Sequence, residues 1–332
     1  MTATAPGASA PQPKGAPLAE PRKIVVTGAA GLVGQNLVTL LSGRADLRLV
    51  AIDKHAHNLG VLARLHPGVT AVEADLADPG PWAEHFAGAD AVVQLHAQIT
   101  GKGAEPFIRN NITATERVLE AIRQHRVPYL VHVSSSVVNS VAEDDYTRTK
   151  EAQEQLVRRS GISHCVLRPT LMFGWFDPKH LGWLARFLER TPVFPIPGDG
   201  RYMRQPLYNR DFCRVIEVCL ARRPDGDVWD LAGKEEVDYV DIIRTIRDAK
   251  GLRTPLVHIP VWLFALLLRL YALFTKTPPF TADQLKALTA GDAFTGVDIQ
   301  AVFGVRPTPF VDAIRETFCD PVYSKVQVKS YV

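Results

Sequence analysis

Three residue types that can move a proton lie close together in the middle of the chain. The run Ser134-Ser-Ser136 follows an apolar stretch, and Tyr146 and Lys150 lie one helical turn apart shortly after it. Positions i and i+4 share a helical face, so the phenol and the ammonium can point the same way. A nearby ammonium favours the phenolate and so lowers a pKa that is ordinarily about 10. Such a tyrosine can take a hydroxyl proton while a serine hydroxyl holds the substrate oxygen.

Tyrosine and lysine at this spacing also occur by chance on surface helices. The segment 23–34 provides the context that favours a catalytic pair over a chance one. Lys23 to Val26 is a β-branched run typical of a buried strand, and leucines at helical spacing follow the glycines. Gly28 can adopt the positive φ of a tight turn, Gly31 lets a pyrophosphate approach the helix N-terminus, and Gly34 lets the helix lie close to the strand. A glycine-rich turn without a ligand is the alternative. The pattern favours a dinucleotide site, which would supply a hydride acceptor beside Tyr146.

A second apolar run ends in an acid at the place where a dinucleotide ribose would lie. Leu47 to Asp53 is this run, and Asp53 stands 19 residues after Gly34. A carboxylate there accepts hydrogen bonds from ribose hydroxyls and repels a 2′-phosphate, which favours NAD over NADP. The neighbouring Lys54 and His55 leave NADP as an alternative. A second interpretation gives Asp53 the structural role of capping the following turn.

Strands and helices alternate through the first half of the chain, with further apolar runs at 69–72, 89–96, 129–134 and 162–167. This alternation predicts an α/β fold, a Rossmann-like doubly wound parallel sheet with its ligand at the carboxyl ends of the strands. A smaller C-terminal substrate-binding domain would follow. The predicted boundaries are a disordered tail at 1–22, an NAD-binding domain at 23–170, a mainly substrate-binding domain at 171–320 whose segment near 205–232 returns to the large domain, and a C-terminal tail at 321–332.

Composition excludes several classes of function. The 332 residues carry a net charge of +3 and no polybasic run, so nucleic acid is not an expected partner. The four cysteines have no metal or redox spacing, so we expect no metal, and Cys213 and Cys219 have the pattern of buried packing residues. Residues 1–22 contain no apolar segment and do not have the pattern of a signal peptide. A reducing, cytoplasmic location is the resulting expectation.

One apolar stretch tests the expectation of a water-soluble enzyme. Residues 261–274 are apolar on nearly every face and contain Arg269, but 14 residues are too few to cross a bilayer, so no transmembrane segment is predicted. The favoured interpretation is a buried helix of the small domain. The alternatives are a helix that contacts a membrane surface peripherally and one that contacts an oligomer partner.

Taken together, these motifs resemble the extended short-chain dehydrogenase/reductase superfamily, in particular its NAD-dependent epimerase/dehydratase family. The resemblance covers roughly residues 23–320 and is specific for the superfamily, less so for the substrate. The motifs that carry it are the glycine turn at 27–34, Asp53, Asp75-Leu76, Asn111, the serine run, Tyr146 with Lys150, and Arg168-Pro169 before Gly174.

The resemblance implies roles for individual residues. Ser136, Tyr146 and Lys150 would be catalytic, with Ser135 as the alternative serine, and both serines would contact the substrate. Asn111 would brace the central strand beside the site. The residues implied to bind the cofactor are Gly28, Gly31, Leu32, Val33, Gly34, Asp53, Asp75, Leu76, Leu95, Ala97, Tyr146, Lys150, Arg168 and Pro169.

Departures from the family pattern bear on the substrate. His96 stands where the family usually has alanine, and Val137-Val138 follows Ser136 where sugar 4,6-dehydratases carry two acids, which argues against a dehydratase. Arg204 lies seven residues before Asp211. In nucleotide-sugar epimerases the arginine that binds the substrate diphosphate lies seven residues before an aspartate that opens a helix, so Arg204 resembles it; a surface arginine is the alternative. The second phosphate-binding arginine of those enzymes is missing.

These observations favour an NAD-dependent enzyme that oxidises a secondary alcohol, most similar to a nucleotide-sugar epimerase. The apolar stretch 261–274 and the segment 303–307 instead resemble the reductase and hydroxysteroid-dehydrogenase-like members of the superfamily, so the second hypothesis is a dehydrogenase or reductase of a lipid- or sterol-like alcohol. A third hypothesis, of another class, is a non-catalytic dinucleotide-binding assembly protein, against which the complete serine, tyrosine and lysine set argues. The resemblance also implies a homodimer.

Overall fold

The computed structural model describes residues 20–140, 144–274, 285, 288–289 and 294–330. Most of residues 1–22, predicted to be a disordered tail, lie outside this range. The strands are β1 Arg22–Thr27, β2 Leu47–Asp53, β3 Thr70–Glu73, β4 Ala91–Gln94, β5 Leu130–Val133, β6 His164–Pro169, β7 Met172–Phe173, β8 Phe194–Pro197, β9 Met203–Arg204, β10 Leu207–Tyr208, β11 Val228–Leu231, β12 Val237–Asp238 and β13 Leu256–Ile259.

Helices connect and cover these strands. The α-helices are α1 Leu32–Leu41, α2 Ala56–Leu65, α3 Glu105–Phe107, α4 Ala114–Gln124, α5 Asp145–Arg158, α6 Leu181–Arg190, α7 Asn209–Arg222, α8 Tyr239–Ala249 and α9 Val261–Phe274, followed by Ile299–Phe303 and Phe310–Cys319. Short 3₁₀ turns occupy Pro81–Phe86, Ser136–Asn139 and Tyr323–Lys325, and Ile108–Thr113 is a π-helix.

Seven strands form one parallel sheet in the order β11-β6-β5-β4-β1-β2-β3. The chain runs outwards from β1 through β2 to β3 and then crosses to β4 on the other side of β1. The direction of winding therefore reverses between β1 and β4, and a crevice opens there at the carboxyl ends of the strands. The predicted doubly wound α/β fold is confirmed.

Alternate residues of the buried strands pack into two layers, one on each face of the sheet. In β1, Ile24 and Val26 pack with α1 and α7, whereas Val25 packs with α4 on the opposite face. Burial on both faces explains why residues 24–26 at the centre of β1 are all apolar rather than alternating with polar ones. Cys213 and Cys219 lie buried in the first layer, as predicted.

A smaller lobe has its own apolar cluster, built from α6, α8, the helix Phe310–Cys319 and the strand pair β8–β13. Between the parts of this lobe, α7 and β11 return to the large sheet, where β11 pairs with β6, as expected for the segment near 205–232. The C-terminal segment packs back onto the large lobe, since the backbone of Lys329 exchanges two hydrogen bonds with the Asn58 side chain.

Two elements differ from the sequence-based expectations. The helix predicted from residue 111 becomes α-helical only at Ala114, after a π-helical turn. Helix α9 is not the buried helix that was favoured: Trp262 is 69% exposed and Leu267 50% exposed. The third apolar cluster contains no α9 residue among those described, and a uniformly apolar sequence has no periodicity to reveal which face is covered. No helix in the described ranges is long and apolar enough to cross a membrane.

Candidate active site

A cleft of about 510 Å³ lies at the carboxyl edge of β1, β4 and β5. It contains nearly all of the residues singled out from the sequence. Those on its wall are Gly28, Gly31, Leu32, Val33, Gly34, Asp53, Asp75, Leu76, Leu95, Ala97, Ser135, Ser136, Tyr146, Lys150 and Pro169.

The three glycines of the turn after β1 each meet a different requirement. Gly28 has a φ of +71°, and a Cβ there would lie 2.5 Å from the backbone nitrogen of His96. A Cβ on Gly34 would lie 2.5 Å from the Cα of Ala29, so α1 can approach the turn only because this residue lacks a side chain. A Cβ on Gly31 would meet no atom closer than 3.4 Å, so the protein itself does not require glycine there.

The N-terminus of α1 opens into this cleft beside Gly31. The helix has no side-chain cap and no acidic residue in its first turn, so its first backbone N–H groups and its dipole favour an anion. An uncapped helix end beside a glycine that the fold does not need fits the pyrophosphate of a dinucleotide.

Asp53 connects the end of β2 to this turn. It is buried, and one carboxylate oxygen accepts a hydrogen bond from the Ala30 amide at 2.9 Å while the other accepts one from the His55 amide at 2.9 Å. The bond from His55 is the turn-capping contact that was the second interpretation of Asp53. Each carboxylate oxygen has a further lone pair, so ribose binding and capping are compatible.

Charges at the adenosine end of the cleft largely balance. Lys54 donates to Asn110 at 2.6 Å and lies 3.9 Å from Asp75, which also pairs with Arg109 at 3.2 Å. Burial acts to raise the pKa of Asp75, but the hydrogen bond from Ala77 and the two cations bring it below the usual value. The positive charge of Lys54 is therefore opposed by an ionised carboxylate, which weakens the argument for a 2′-phosphate.

Tyr146 lies in the first turn of α5, facing the serine run at the end of β5. Its phenol is hydrogen-bonded to the side chain of Ser135, which lowers its pKa, but burial, the larger effect, and the charge of Asp144 raise it above the ordinary value. Ser136, preferred from the resemblance, also lines the cleft and begins the 3₁₀ turn. The geometry thus favours Ser135, the alternative, as the partner of Tyr146.

Lys150 is fully buried one turn further along α5. Its ammonium donates to the Val133 carbonyl at 3.1 Å and to the Gln153 side chain at 2.5 Å. Burial lowers its pKa to about 7, against an opposing effect of Glu154. The hydrogen bonds of the ammonium thus go to α5 and to the end of β5, and the tuning of Tyr146 by Lys150 stays a prediction from the i, i+4 spacing.

Asn111 braces the site as the resemblance implied. It is fully buried in the π-helix, where its amide bonds to both the N–H and the C=O of Gln98, after β4, and donates to Thr149 on α5 at 3.0 Å. The extra residue of a π-helical turn re-aims the side chains that follow it. The irregular turn therefore places one amide where it joins the end of β4 to the helix that carries Tyr146.

Comparison with known proteins agrees with this geometry. Residues 24–232 match the model of the NAD dependent epimerase/dehydratase family. The chain belongs to that family. A dTDP-glucose 4,6-dehydratase of Streptomyces niveus is 27% identical over 272 residues, which are 72% of this chain and 81% of that protein. The family thereby confirms an NAD-dependent enzyme of the extended short-chain dehydrogenase/reductase superfamily.

Two other matches widen the range of chemistry. The 4-hydroxy-2-methyl-3-oxo-4-farnesyl-3,4-dihydroquinoline-1-oxide ketoreductase of Stigmatella aurantiaca is 27% identical over 257 residues, covering 71% of this chain and 75% of that protein. The solved UDP-glucuronic acid 4-epimerase of Bacillus cereus in complex with NAD has a TM-score of 0.67 at 22% identity, covering 89% of this chain and 96% of its own. That structure shares the fold.

His96, the departure from the family pattern, belongs to a buried polar network that the sequence did not reveal. Its ring hydrogen-bonds with the hydroxyl of Thr27 at 2.9 Å and with that of Thr115 at 3.2 Å, and Gln153 donates to Thr115 at 2.9 Å. Burial, and then the charge of Lys150, lower the pKa of His96 to about 3, so the ring is neutral. Because Gln153 also accepts from Lys150, the network connects the glycine turn to the lysine.

Two predicted site residues do not reach the cleft. Arg168 forms a bidentate ion pair with Glu154 on α5, at 2.6 and 2.9 Å, instead of facing a cofactor. Arg204, on the short strand β9, is half-buried near Tyr239, and burial lowers its pKa. Neither side chain lines the cleft that holds Tyr146. Arg168 instead fixes α5 against β6.

Proposed function

We propose that the protein catalyses NAD-dependent oxidation of a secondary hydroxyl group of a nucleotide sugar, with the hydride returned to the same carbon, as in an epimerase. One observation carries the chemical part of this proposal: Tyr146, hydrogen-bonded to Ser135, shares a single cleft with the uncapped N-terminus of α1. A proton-transferring phenol beside a dinucleotide site is the arrangement that removal of a proton and a hydride from one carbinol requires.

Each residue of the site has a defined task in this chemistry. Bound NAD supplies a ring that accepts the hydride from the carbinol carbon. Ser135 or Ser136 holds the substrate oxygen, and Tyr146 takes the hydroxyl proton and later gives it back. The backbone N–H groups at the start of α1 hold the pyrophosphate, and Asp53 accepts from the ribose.

Two findings support a nucleotide sugar as the substrate. The Streptomyces niveus relative and the Bacillus cereus structural neighbour are named for a dTDP-linked and a UDP-linked sugar. The residues after Ser136 are Val137 and Val138, which cannot protonate a leaving hydroxyl, so returning the hydride is favoured over eliminating water. A dehydratase is therefore not proposed, although the relatives include one.

A second candidate function, reduction of an apolar ketone, is favoured by apolar residues in the wall of the cleft. Apolar side chains from several segments line it, namely Ile99, Leu171, Met172 and Phe294. No arginine is among the described residues that line the cleft, whereas a diphosphate is usually bound by a guanidinium. One relative is itself a ketoreductase of a farnesylated compound.

Substrate binding to the NAD-loaded enzyme distinguishes the two candidates. We expect UDP-, dTDP- or GDP-sugars to raise the Tm of the enzyme in saturating NAD, and chromatography of the incubated sugar to show conversion to an epimer. Stabilisation by farnesylated or sterol-like ketones, with NADH oxidation and no response to any nucleotide sugar, would instead establish the second candidate.

A substitution pair tests the predicted role of Arg204 within the same experiment. Arg204→Gln should raise the KM for a nucleotide sugar more than tenfold if the guanidinium moves to the diphosphate during binding, since a charge-assisted bidentate bond contributes about 1.5–3 kcal/mol. Arg201→Gln, three residues earlier and exposed, is the matched control. Equal KM values for the two variants would remove Arg204 from the substrate site.

Two further expectations remain proposals. A homodimer formed through α4 and α5 would double the mass measured by light scattering, and a monomer at micromolar concentration would contradict it. A cytoplasmic location is tested by fractionation of cells that produce the protein.

A further inference from the structure

Helix α9 and the strand before it expose six large apolar side chains, which are together called here the α9 face. On this surface, Trp262 is 69% exposed, the most exposed large apolar side chain among the described residues, and Leu267 is 50% exposed. Monomeric proteins rarely leave such a patch open to water, because each exposed apolar side chain forgoes the gain of burial. The members of the α9 face are Val257, Val261, Trp262, Leu266, Leu267 and Leu270.

The exposed side chains are ordered along the helix. Trp262, Leu266 and Leu270 follow one another at four-residue spacing, so they form one stripe about 12 Å long on a single side of α9. The helix has 14 residues, about 21 Å, which is shorter than the apolar core of a bilayer. It can therefore lie along an apolar boundary but not cross it.

The segment that carries the α9 face contains cations and no acid. Between Ala249 and Ala282 the sequence contains no aspartate or glutamate, although 35 acidic residues occur in the whole chain. Arg253 and Arg269 are exposed, and neither forms an ion pair with an acidic residue in the part of the chain that the structure describes. An apolar stripe in a segment whose charged residues are all cations is complementary to a surface that is apolar below and anionic above.

This distribution of charge also argues against a second copy of the chain as the occupant. A two-fold symmetric interface brings the same patch of both subunits together, so Arg253 and Arg269 would face a copy of a segment, residues 249–282, that contributes no acid to balance them. The surface is an extended stripe, and the cleft with Tyr146 is lined by none of its residues, so it is not a part of the substrate site either.

We propose that the α9 face docks the enzyme onto an anionic lipid bilayer, with Trp262 at the headgroup level, Leu266 and Leu270 below it, and Arg253 and Arg269 at the phosphates. This inference goes beyond the proposed function and does not depend on which alcohol or ketone the cleft accepts. A tryptophan at the headgroup level, with aliphatic side chains deeper, is the usual arrangement at such a boundary.

Sedimentation of the full-length, NAD-loaded protein with vesicles tests the proposal. We expect binding to vesicles of phosphatidylcholine with about 30% phosphatidylserine, and at least tenfold weaker binding for Trp262→Ser combined with Leu266→Ser. Each of Arg253→Gln and Arg269→Gln should weaken binding about fivefold at 0.1 M salt, as should raising the salt. Val311→Ser, at a residue 52% exposed on the helix Phe310–Cys319, is the matched control.

Several results would overturn the proposal. They are no binding of the wild-type protein to any vesicle, an equal loss in the Val311→Ser control, or a dimer that dissociates on the Trp262→Ser and Leu266→Ser substitutions. Quenching of tryptophan fluorescence by brominated lipid tests the contact in variants that still bind. The fluorescence of the wild-type protein should be quenched, and that of Trp262→Phe, which keeps the surface apolar, should be quenched much less. Unchanged quenching in Trp262→Phe would place the contact elsewhere on the molecule.

Discussion

Adding one methyl group at Gly31 or at Gly34 should separate cofactor binding from folding. A Cβ on Gly31 would have no neighbour closer than 3.4 Å, whereas a Cβ on Gly34 would lie 2.5 Å from both the Cα and the O of Ala29. Gly31 precedes α1 with a φ of −80°, a conformation open to any residue. Gly31→Ala should therefore fold normally, and Gly34→Ala should not.

The expected magnitudes follow from these contacts. Gly31→Ala loses a favourable N-cap residue, which lowers the stability, and reduces the entropy of the unfolded chain, which raises it. Each effect is below about 1 kcal/mol, and the two oppose one another. The new methyl group occupies the space in front of the uncapped helix N-terminus, and forcing a ligand past such an obstacle costs about 1–3 kcal/mol. The Kd for NAD should rise about 5- to 150-fold. In Gly34→Ala a similar or larger cost falls on the free energy of unfolding instead.

Two measurements on each variant separate the effect on folding from the effect on cofactor binding. Urea unfolding gives the free energy of unfolding, and fluorescence titration with NADH gives the Kd. The interpretation of the turn would be refuted if Gly31→Ala bound NADH as tightly as the wild-type protein does. It would also be refuted if Gly31→Ala lost as much stability as Gly34→Ala, because the fold would then require both glycines.

Three other substitutions test the rest of the site. Tyr146→Phe should reduce kcat about 10²- to 10⁴-fold and leave the Kd for NADH unchanged, since only the proton-transferring oxygen is removed. Arg168→Met should lower the free energy of unfolding by about 3 kcal/mol in urea, because, among the described residues, only the more exposed Arg158, at 3.8 Å, then remains as an ion-pair partner of the buried Glu154, with no change in the Kd for NADH. His96→Asn should flatten the dependence of stability on pH. The neutral ring has a pKa of about 3 in the folded state and about 6.5 in the unfolded state, so wild-type stability is complete above pH 6.5 and falls by about 1.4 kcal/mol per pH unit below it.

Controls for these three experiments use the same chain. Tyr202→Phe removes a phenol outside the cleft and should retain full turnover; a matching loss there would show that Tyr146→Phe acts through the fold. A weaker Kd for NADH in Arg168→Met, at wild-type stability, would restore the cofactor role that the resemblance implied. Equal slopes of stability against pH between 6.5 and 4.5 for His96→Asn and the wild-type protein would mean that the ring is not held neutral.

Features that depend on neighbours in sequence could be predicted well. The turn at Gly28 and Gly34, the strand that ends at Asp53 and the helix that begins near Tyr146 all follow from local spacing, and the alternation of elements was enough to predict a doubly wound parallel sheet. The glycine roles in particular were predicted one by one, because a positive φ and a close helix–strand approach each demand a specific residue type.

Features that depend on which side chains meet in the folded protein were not predictable in this way. Glu154 captures Arg168 from another element, and the Gln153 side chain accepts from Lys150. Neither partner has a motif, although both lie within one turn of Lys150 on α5. The exposure of α9 was missed for the opposite reason, since a helix that is apolar all round gives no signal of the side that lacks a neighbour.

The two hydrogen bonds of Asp53 set a limit on how the cofactor preference can change. To accept NADP, an enzyme of this kind would have to lose that carboxylate, yet the same carboxylate holds the Ala30 amide and the His55 amide in place. A substitution to a small neutral residue would leave two backbone donors without their acceptor, each costing about 1–3 kcal/mol where it is buried. A change of cofactor preference from NAD to NADP, whether engineered or natural, would therefore need compensating changes in the turn that contains Ala30 and in the loop that contains His55. Asp53 is thus part of the scaffold as much as of the ligand site. Its replacement by asparagine, which keeps one acceptor oxygen, should therefore cost less stability than its replacement by alanine.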